Sequence, residues 1–213
     1  MSELSREVPL RPEQSALLII DVQNFSAHPE GGEFGHLSPA ERQAQEGFYF
    51  GQLEGAVLPN IRRLQQAFRA VPMEILYAVI QSLTKDGRDR SLDYKISGFH
   101  VPRGSWDGQV LDAIAPADDE IVLPKTSSDV FSSTNIHYVL GNLGVRQLVI
   151  CGLVTDQCVE SAVRHACDLG YLVTLVTDAC TTHSQERHDA SLRAIRGYCR
   201  QRSTQELLEE LRA

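Results

Sequence analysis

The sequence predicts a three-layer αβα domain built on a doubly wound, mainly parallel sheet of about six strands. Three observations predict it. Short continuous apolar runs such as Ala16–Ile20 (ALLII) and Leu148–Cys151 (LVIC) read as strands buried on both faces. These runs alternate with helical patterns along the whole chain, which implies parallel strands joined by right-handed helical crossovers. The chain has 213 residues, 42% hydrophobic and 23% charged, as expected for one globular domain spanning 1–213 with a sizeable core.

Residues 1–14 form a polar lead-in before the first strand, 16–20. The loop 26–37 carries His28 and His36 without acidic or histidine company at ligand spacing, which favours a surface loop. Ser38-Pro39-Ala40-Glu41 combines an N-cap serine, proline at the first position and glutamate at the third, so a helical pattern starts here and runs toward Ala70. It is expected to be interrupted near Gly55 or Pro59. Glu74–Ile80 is the second strand, and residues 81–106 are a long connection rich in Lys, Arg, Asp and Gly. A short helix is expected over 107–115 and a third strand over 120–123. Ser133 or Thr134 caps a helix running to Gly144. The fourth strand leads through Gly152 and a polar turn into a helix that stops at Gly170. A fifth strand over 172–176, a helix over 184–197, an edge strand over 199–203 and a final helix to Ala213 complete a Rossmann-like arrangement.

Composition narrows the function. A net charge of −8 argues against nucleic acid or an anionic membrane as the main partner. Five cysteines with no CxxC pair speak against a disulfide framework and a structural zinc site. The polar start, Met1–Glu7, and the absence of any run of membrane-spanning length point to a cytoplasmic protein. There is no P-loop, GxGxxG or GxSxG motif.

Three residues stand at the carboxyl ends of separate strands: Asp21, Lys125 and Cys158. Each alone has a plain structural reading, as a turn residue, a surface lysine and a small core residue. Together, in one doubly wound sheet, they share the crevice where such folds bind ligands. Cys158 sits in the first turn of a helix, where backbone N–H groups and the helix dipole lower a thiol's pKa. Asp21 can take the thiol proton, Lys125 can stabilise the thiolate, and Cys158 can attack an acyl carbon. Arg88, Arg90, Lys95 and Arg103 place positive charge in the 81–106 connection. They fit a pocket mouth and a solvated loop paired with Asp86, Asp89 and Asp93 equally well.

The segments Ala16–Phe25 (ALLIIDVQNF), Leu123–Thr134 (LPKTSSDVFSST) and Cys151–Tyr171 (CGLVTDQCVESAVRHACDLGY) resemble those of the isochorismatase-like cysteine hydrolases, which include nicotinamidases and N-carbamoylsarcosine amidases. VTDAC (Val176–Cys180) agrees more weakly, and the resemblance spans about residues 14–200. It implies a catalytic triad of Asp21, Lys125 and Cys158 and a cis peptide between Leu153 and Val154. The N–H groups of Val154 and Cys158 would then form an oxyanion hole. Gln23, Phe25 and Phe131 would line the pocket, and Asp156 and Thr155 would hold the elbow. The family also implies a homo-oligomer, dimer or tetramer. The paired histidines that nicotinamidases use for metal are missing after the second strand, so no metal or other cofactor is expected and nicotinamide is disfavoured. The expected activity is thioester-forming hydrolysis of a small carboxamide, carbamoyl or ureido compound, with Arg88, Arg90 or Lys95 binding a carboxylate or carbamoyl group. Vinyl-ether hydrolysis of the isochorismatase type and a silent binding role are the alternatives. The first needs no nucleophilic cysteine, and the second usually goes with loss of a triad member.

Overall fold

The computed structural model describes residues 4–71, 73–117 and 119–212, so Met1–Glu3 of the lead-in and the last residue of the expected terminal helix, Ala213, lie outside the described residues. A six-stranded sheet forms the centre: β1 Ser15–Ile20, β2 Glu74–Ile80, β3 Ile121–Lys125, β4 Gln147–Leu153, β5 Leu172–Thr181 and β6 Arg200–Arg202. All neighbouring strands pair in parallel, in the order β3-β2-β1-β4-β5-β6. The helices are α1 Asn24–Ala27, α2 Pro39–Gln52, α3 Leu58–Ala70, α4 Leu92–Ile96, α5 Val130–Ser133, α6 Ile136–Asn142, α7 Glu160–Asp168, α8 Gln185–Ile195 and α9 Thr204–Glu210.

The chain steps one way from β1 to β2 and the other way from β4 to β5, so right-handed crossovers put their helices on opposite faces. α3 packs against β1, β2, β5 and α9, while α7 packs against β5, α5 and α8. β1 and β4 are buried at every position, which explains their unbroken apolar runs. The order reverses between β1 and β4, and there the carboxyl ends open a crevice.

Several elements differ from expectation. The α-helical path of the 38–70 segment is interrupted near Gly55, as expected, but by a change of pitch and not by a break. A π-helical turn over Leu53–Val57 carries α2 into α3, and the departure from helical geometry falls at Glu46 (φ −123°, ψ 16°). The 107–115 stretch is not a helix but two 3₁₀ turns, Trp106–Gly108 and Asp112–Ile114. Between them Val110 bridges Gln23, and Leu111 N–H donates to the Val22 carbonyl, so pairing with the segment after β1 competes with helix formation. The 81–106 connection is ordered. Asp89 accepts from Leu83 and Thr84, and Ser91 caps α4.

β3 continues through Pro124, which an edge strand tolerates because it needs no inward N–H there. The expected 133–144 helix is α6, with Thr134 Oγ1 accepting from Ile136 N–H at its start, and a separate short helix, α5, capped by Asp129, precedes it. β5 extends five residues beyond Val176, with a register shift against β4 between Ile150 and Gly152. α9 ends at Glu210, before Ala213. Among the described residues, no helix is long and apolar enough to cross a membrane.

Gly152 on β4 packs its backbone directly against Ile20 of β1. Its φ is +122°, and a Cβ there would lie 2.1 Å from the Ile20 carbonyl oxygen. Gly152→Ala is therefore expected to destabilise the protein by roughly 3 kcal/mol or more, through backbone strain and overpacking together. A denaturant midpoint equal to wild type would contradict this close packing.

Candidate active site

Asp21 is the first residue past β1. It adopts φ +56°, a region asparagine and aspartate tolerate, and its N–H donates to the Ala78 carbonyl at 2.8 Å. Its carboxylate is thereby held at the sheet's carboxyl edge, 2% exposed. Lys125 ends β3, two strands away, a lateral gap of roughly 10 Å at about 4.8 Å per strand. Its long stem closes that gap and is fully buried. The ammonium lies 3.0 Å from Asp21 Oδ2. It also donates to Tyr94 Oη at 3.0 Å, the Ser127 carbonyl at 3.1 Å and Cys158 Sγ at 3.4 Å. Neither Asp21 oxygen receives a straight hydrogen bond from a described residue. The ion pair is therefore mainly electrostatic, and both carboxylate oxygens are buried within it.

Cys158 sits in the π-type first turn Thr155–Val159 that leads into α7, 6% exposed. The Leu153–Val154 peptide just before this turn is cis. Asp156 and Thr155 are tied to α8 and its approach: Asp156 accepts from Thr182 and Arg187, and Thr155 Oγ1 bonds His188.

The thiol is not acidified as its helix position alone suggests. Burial, then the Asp21 charge, push Cys158 up to about 12, against the opposing pull of Lys125. Burial likewise raises the Asp21 carboxyl, although Lys125 and Cys158 act to lower it. Burial disfavours the Lys125 ammonium, yet Asp21, Cys158 and Tyr94 outweigh it and hold its pKa well above the ordinary value. At rest the cluster is thus a buried carboxylate–ammonium pair beside a protonated thiol.

A cavity of about 180 Å³ opens over this cluster, lined among others by Asp21, Glu33, Phe99, Val154, Cys158 and His183. That volume suits a small molecule rather than a drug-sized one. Among the described residues, no group of three or more His, Cys, Asp or Glu side chains gathers as a metal-holding set.

The other expected pocket residues sit elsewhere. Gln23 is fully buried and works as a strand clamp: Nε2 donates to the Ile80 and Asp107 carbonyls and Oε1 accepts from Ile80 N–H. Its hydrogen-bonding capacity is used in the fold. Phe25 stands behind the wall, edge-on to Phe99 at 5.4 Å. Phe131 is buried against His165 and Tyr171, away from the cavity lining. Arg88 pairs with Asp86 on the surface, and Lys95 is exposed on α4. Arg90 holds the Gly87 and Phe99 carbonyls, so it reaches the cavity only through Phe99.

Tyr94, Glu33 and His183 were not identifiable as site residues from sequence. Tyr94 looked like one residue of a charged loop, and its signal was only an aromatic flanked by a capping serine. Its hydroxyl lies 4.0 Å from Cys158 Sγ.

The profile of the isochorismatase domain matches residues 15–206. The ureidoacrylate amidohydrolase RutB of Rhizobium rhizogenes is 28% identical over 188 residues, covering 81% of this chain and 72% of that protein. A cysteine hydrolase from Pseudomonas syringae pv. phaseolicola has the same fold, with a TM-score of 0.81, 22% identity and coverage of 100% and 99% of the two chains. N-carbamoylsarcosine amidase from Thermoplasma acidophilum superposes with a TM-score of 0.66 at 22% identity, over 90% of this chain and 96% of that one. With the domain profile spanning nearly the whole length, the chain belongs to the isochorismatase family.

Proposed function

We propose that this chain is an amidohydrolase that opens a C–N bond of a small carboxamide, carbamoyl or ureido compound through a thioester on Cys158. The observation that carries the reading is the contact of Cys158 Sγ with the Lys125 ammonium at 3.4 Å, with Asp21 on the same ammonium and a cavity over all three. The names of the amidohydrolase and amidase relatives support the same reaction class.

Asp21 takes the thiol proton as Sγ attacks the carbonyl carbon. Lys125 stabilises the sulfur's developing charge. The N–H groups of Val154 and Cys158 receive the oxyanion. As the C–N bond breaks, the Asp21 proton passes to the leaving nitrogen. Water, deprotonated by Asp21, then attacks the thioester, and the thiolate leaves and is reprotonated. The cysteine favours this route over vinyl-ether hydrolysis, which needs a proton donor and no nucleophile.

The test is ammonia release across nicotinamide, maleamate, oxamate, biuret, ureidoacrylate and N-carbamoyl amino acids, with and without chelator. Release from at least one of them, unaffected by chelator, is expected. Absence of release from every amide, with turnover of isochorismate, would overturn the proposal.

A pH profile follows from the same chemistry. The base must be ionised, and burial raises its pKa, so activity is lost as pH falls through a value above the ~4 of an ordinary aspartate. The expected acid limb of kcat/KM is therefore displaced upward, and a profile flat down to about pH 4 would contradict Asp21 as the base.

A further inference from the structure

Beyond the reacting cluster, the cavity has a second polar wall. Glu33 and His183 line it. His183 Nδ1 lies 2.8 Å from Glu46 Oε2, and its ring stacks on Tyr49 at 5.3 Å. Glu33 follows a close backbone approach at Gly31, where a Cβ would lie 1.9 Å from the Asn24 carbonyl oxygen. Its backbone N–H donates to the Phe25 carbonyl at 3.2 Å. Among the described residues, none hydrogen-bonds the Glu33 carboxyl.

The charge of this space is one-sided. Its acids are Asp21 and Glu33, with Glu46 behind His183. Among the described residues no arginine or lysine lines it, and the nearby ammonium of Lys125 is engaged by Asp21, Tyr94, Ser127 and Cys158. Both Asp21 oxygens are buried beside the Lys125 ammonium, which leaves Glu33 as the acid of the lining without a counter-charge. An unpartnered carboxyl facing this small cavity is complementary to N–H donors, and the lining offers a substrate anion no counter-charge.

We propose that the substrate's non-reacting end carries N–H donors and no negative charge, as in a carbamoyl, ureido or amino group, and that Glu33 selects it. This rests on the amidohydrolase reading and narrows it. It also reverses the expectation that arginines of the 81–106 connection bind a substrate carboxylate. Burial, followed by the charges of Asp21 and Glu46, pushes Glu33 up to about 8. Near neutral pH its carboxyl is therefore largely protonated while the cavity is empty. In that form it can both donate to and accept from an amide edge, and it ionises against an ammonium.

The test compares three amides that share one reacting carboxamide: malonamide, 3-aminopropanamide and malonamate. Ammonia release is read as kcat/KM, with Cys158→Ala as the control. The expected result is a preference of about tenfold or more for malonamide or 3-aminopropanamide over malonamate. Which of the two leads distinguishes a carbamoyl-type end from an amine. Glu33→Gln, with Glu33→Ala as a second variant, is expected to shift the malonamate-to-3-aminopropanamide ratio about tenfold toward malonamate. Cys158-dependent release that favours malonamate, or a ratio unmoved in both variants, would overturn the Glu33 assignment and leave the amidohydrolase reading standing. If none of these amides and none of the earlier panel releases ammonia while isochorismate is turned over, the reading itself falls and the assignment with it.

Discussion

Replacing Lys125 by methionine is expected to destabilise the protein by about 3–5 kcal/mol, because it leaves the Asp21 carboxylate buried without its cation. The deficit should depend on pH in a defined direction. Without Lys125 the main remaining influence on Asp21 is burial, which raises its folded pKa above the unfolded value. A raised carboxyl pKa contributes stability that is present below the unfolded pKa and lost as pH rises through the folded one. The variant's loss should therefore be smallest in acid and largest above neutrality, as read from denaturant midpoints at several pH values. Asp21→Asn combined with Lys125→Met removes both charges and is expected to recover much of the stability while remaining inactive. A single Lys125→Met variant as stable as wild type at every pH would show that the pair is not buried as described.

Cys158→Ala is expected to lower amide turnover by about 10⁴-fold or more, since the nucleophile itself is removed. Cys158→Ser should fall nearly as far, because a hydroxyl is a far weaker acid than a thiol and Asp21 cannot activate it. Both variants should fold with near-native midpoints, the site being small and close to the cavity surface. In the wild type, burial and Asp21 push the thiol up to about 12, so without substrate it should react with iodoacetamide more slowly than a free cysteine at pH 7. Rapid alkylation at neutral pH would mean that Lys125 dominates over burial and Asp21.

The architecture was legible because buried parallel strands leave an unmistakable trace. Ala16–Ile20, Ile75–Ile80 and Leu148–Cys151 are continuous apolar runs, and each lies in a strand. Asp21, Lys125 and Cys158 were legible as a group because Asp21 follows β1, Lys125 ends β3 and Cys158 lies in the turn that leads from β4 into α7. What failed to show was anything set by pairing between distant segments. The 107–115 stretch carries a helical pattern but is captured by Gln23 and Val22. Gln23 read as a pocket residue because it stands two places after Asp21, yet its amide is consumed by Ile80 and Asp107. Glu33 and His183, 150 positions apart, meet only when the Gly31 turn and the end of β5 fold over one cavity. No spacing rule connects them. The thiol's acidity was misread for a related reason: helix position is local, whereas burial and the Asp21 charge come from the fold.

The central claim is that Cys158 carries the acyl group of the substrate. Acid-quenched protein taken during turnover, digested and mass-analysed, tests it most directly. The account predicts that the peptide containing Cys158 gains the mass of the acyl part, and that the gain disappears in Cys158→Ala together with ammonia release. An adduct on a different residue, or undiminished turnover in Cys158→Ala, would contradict it.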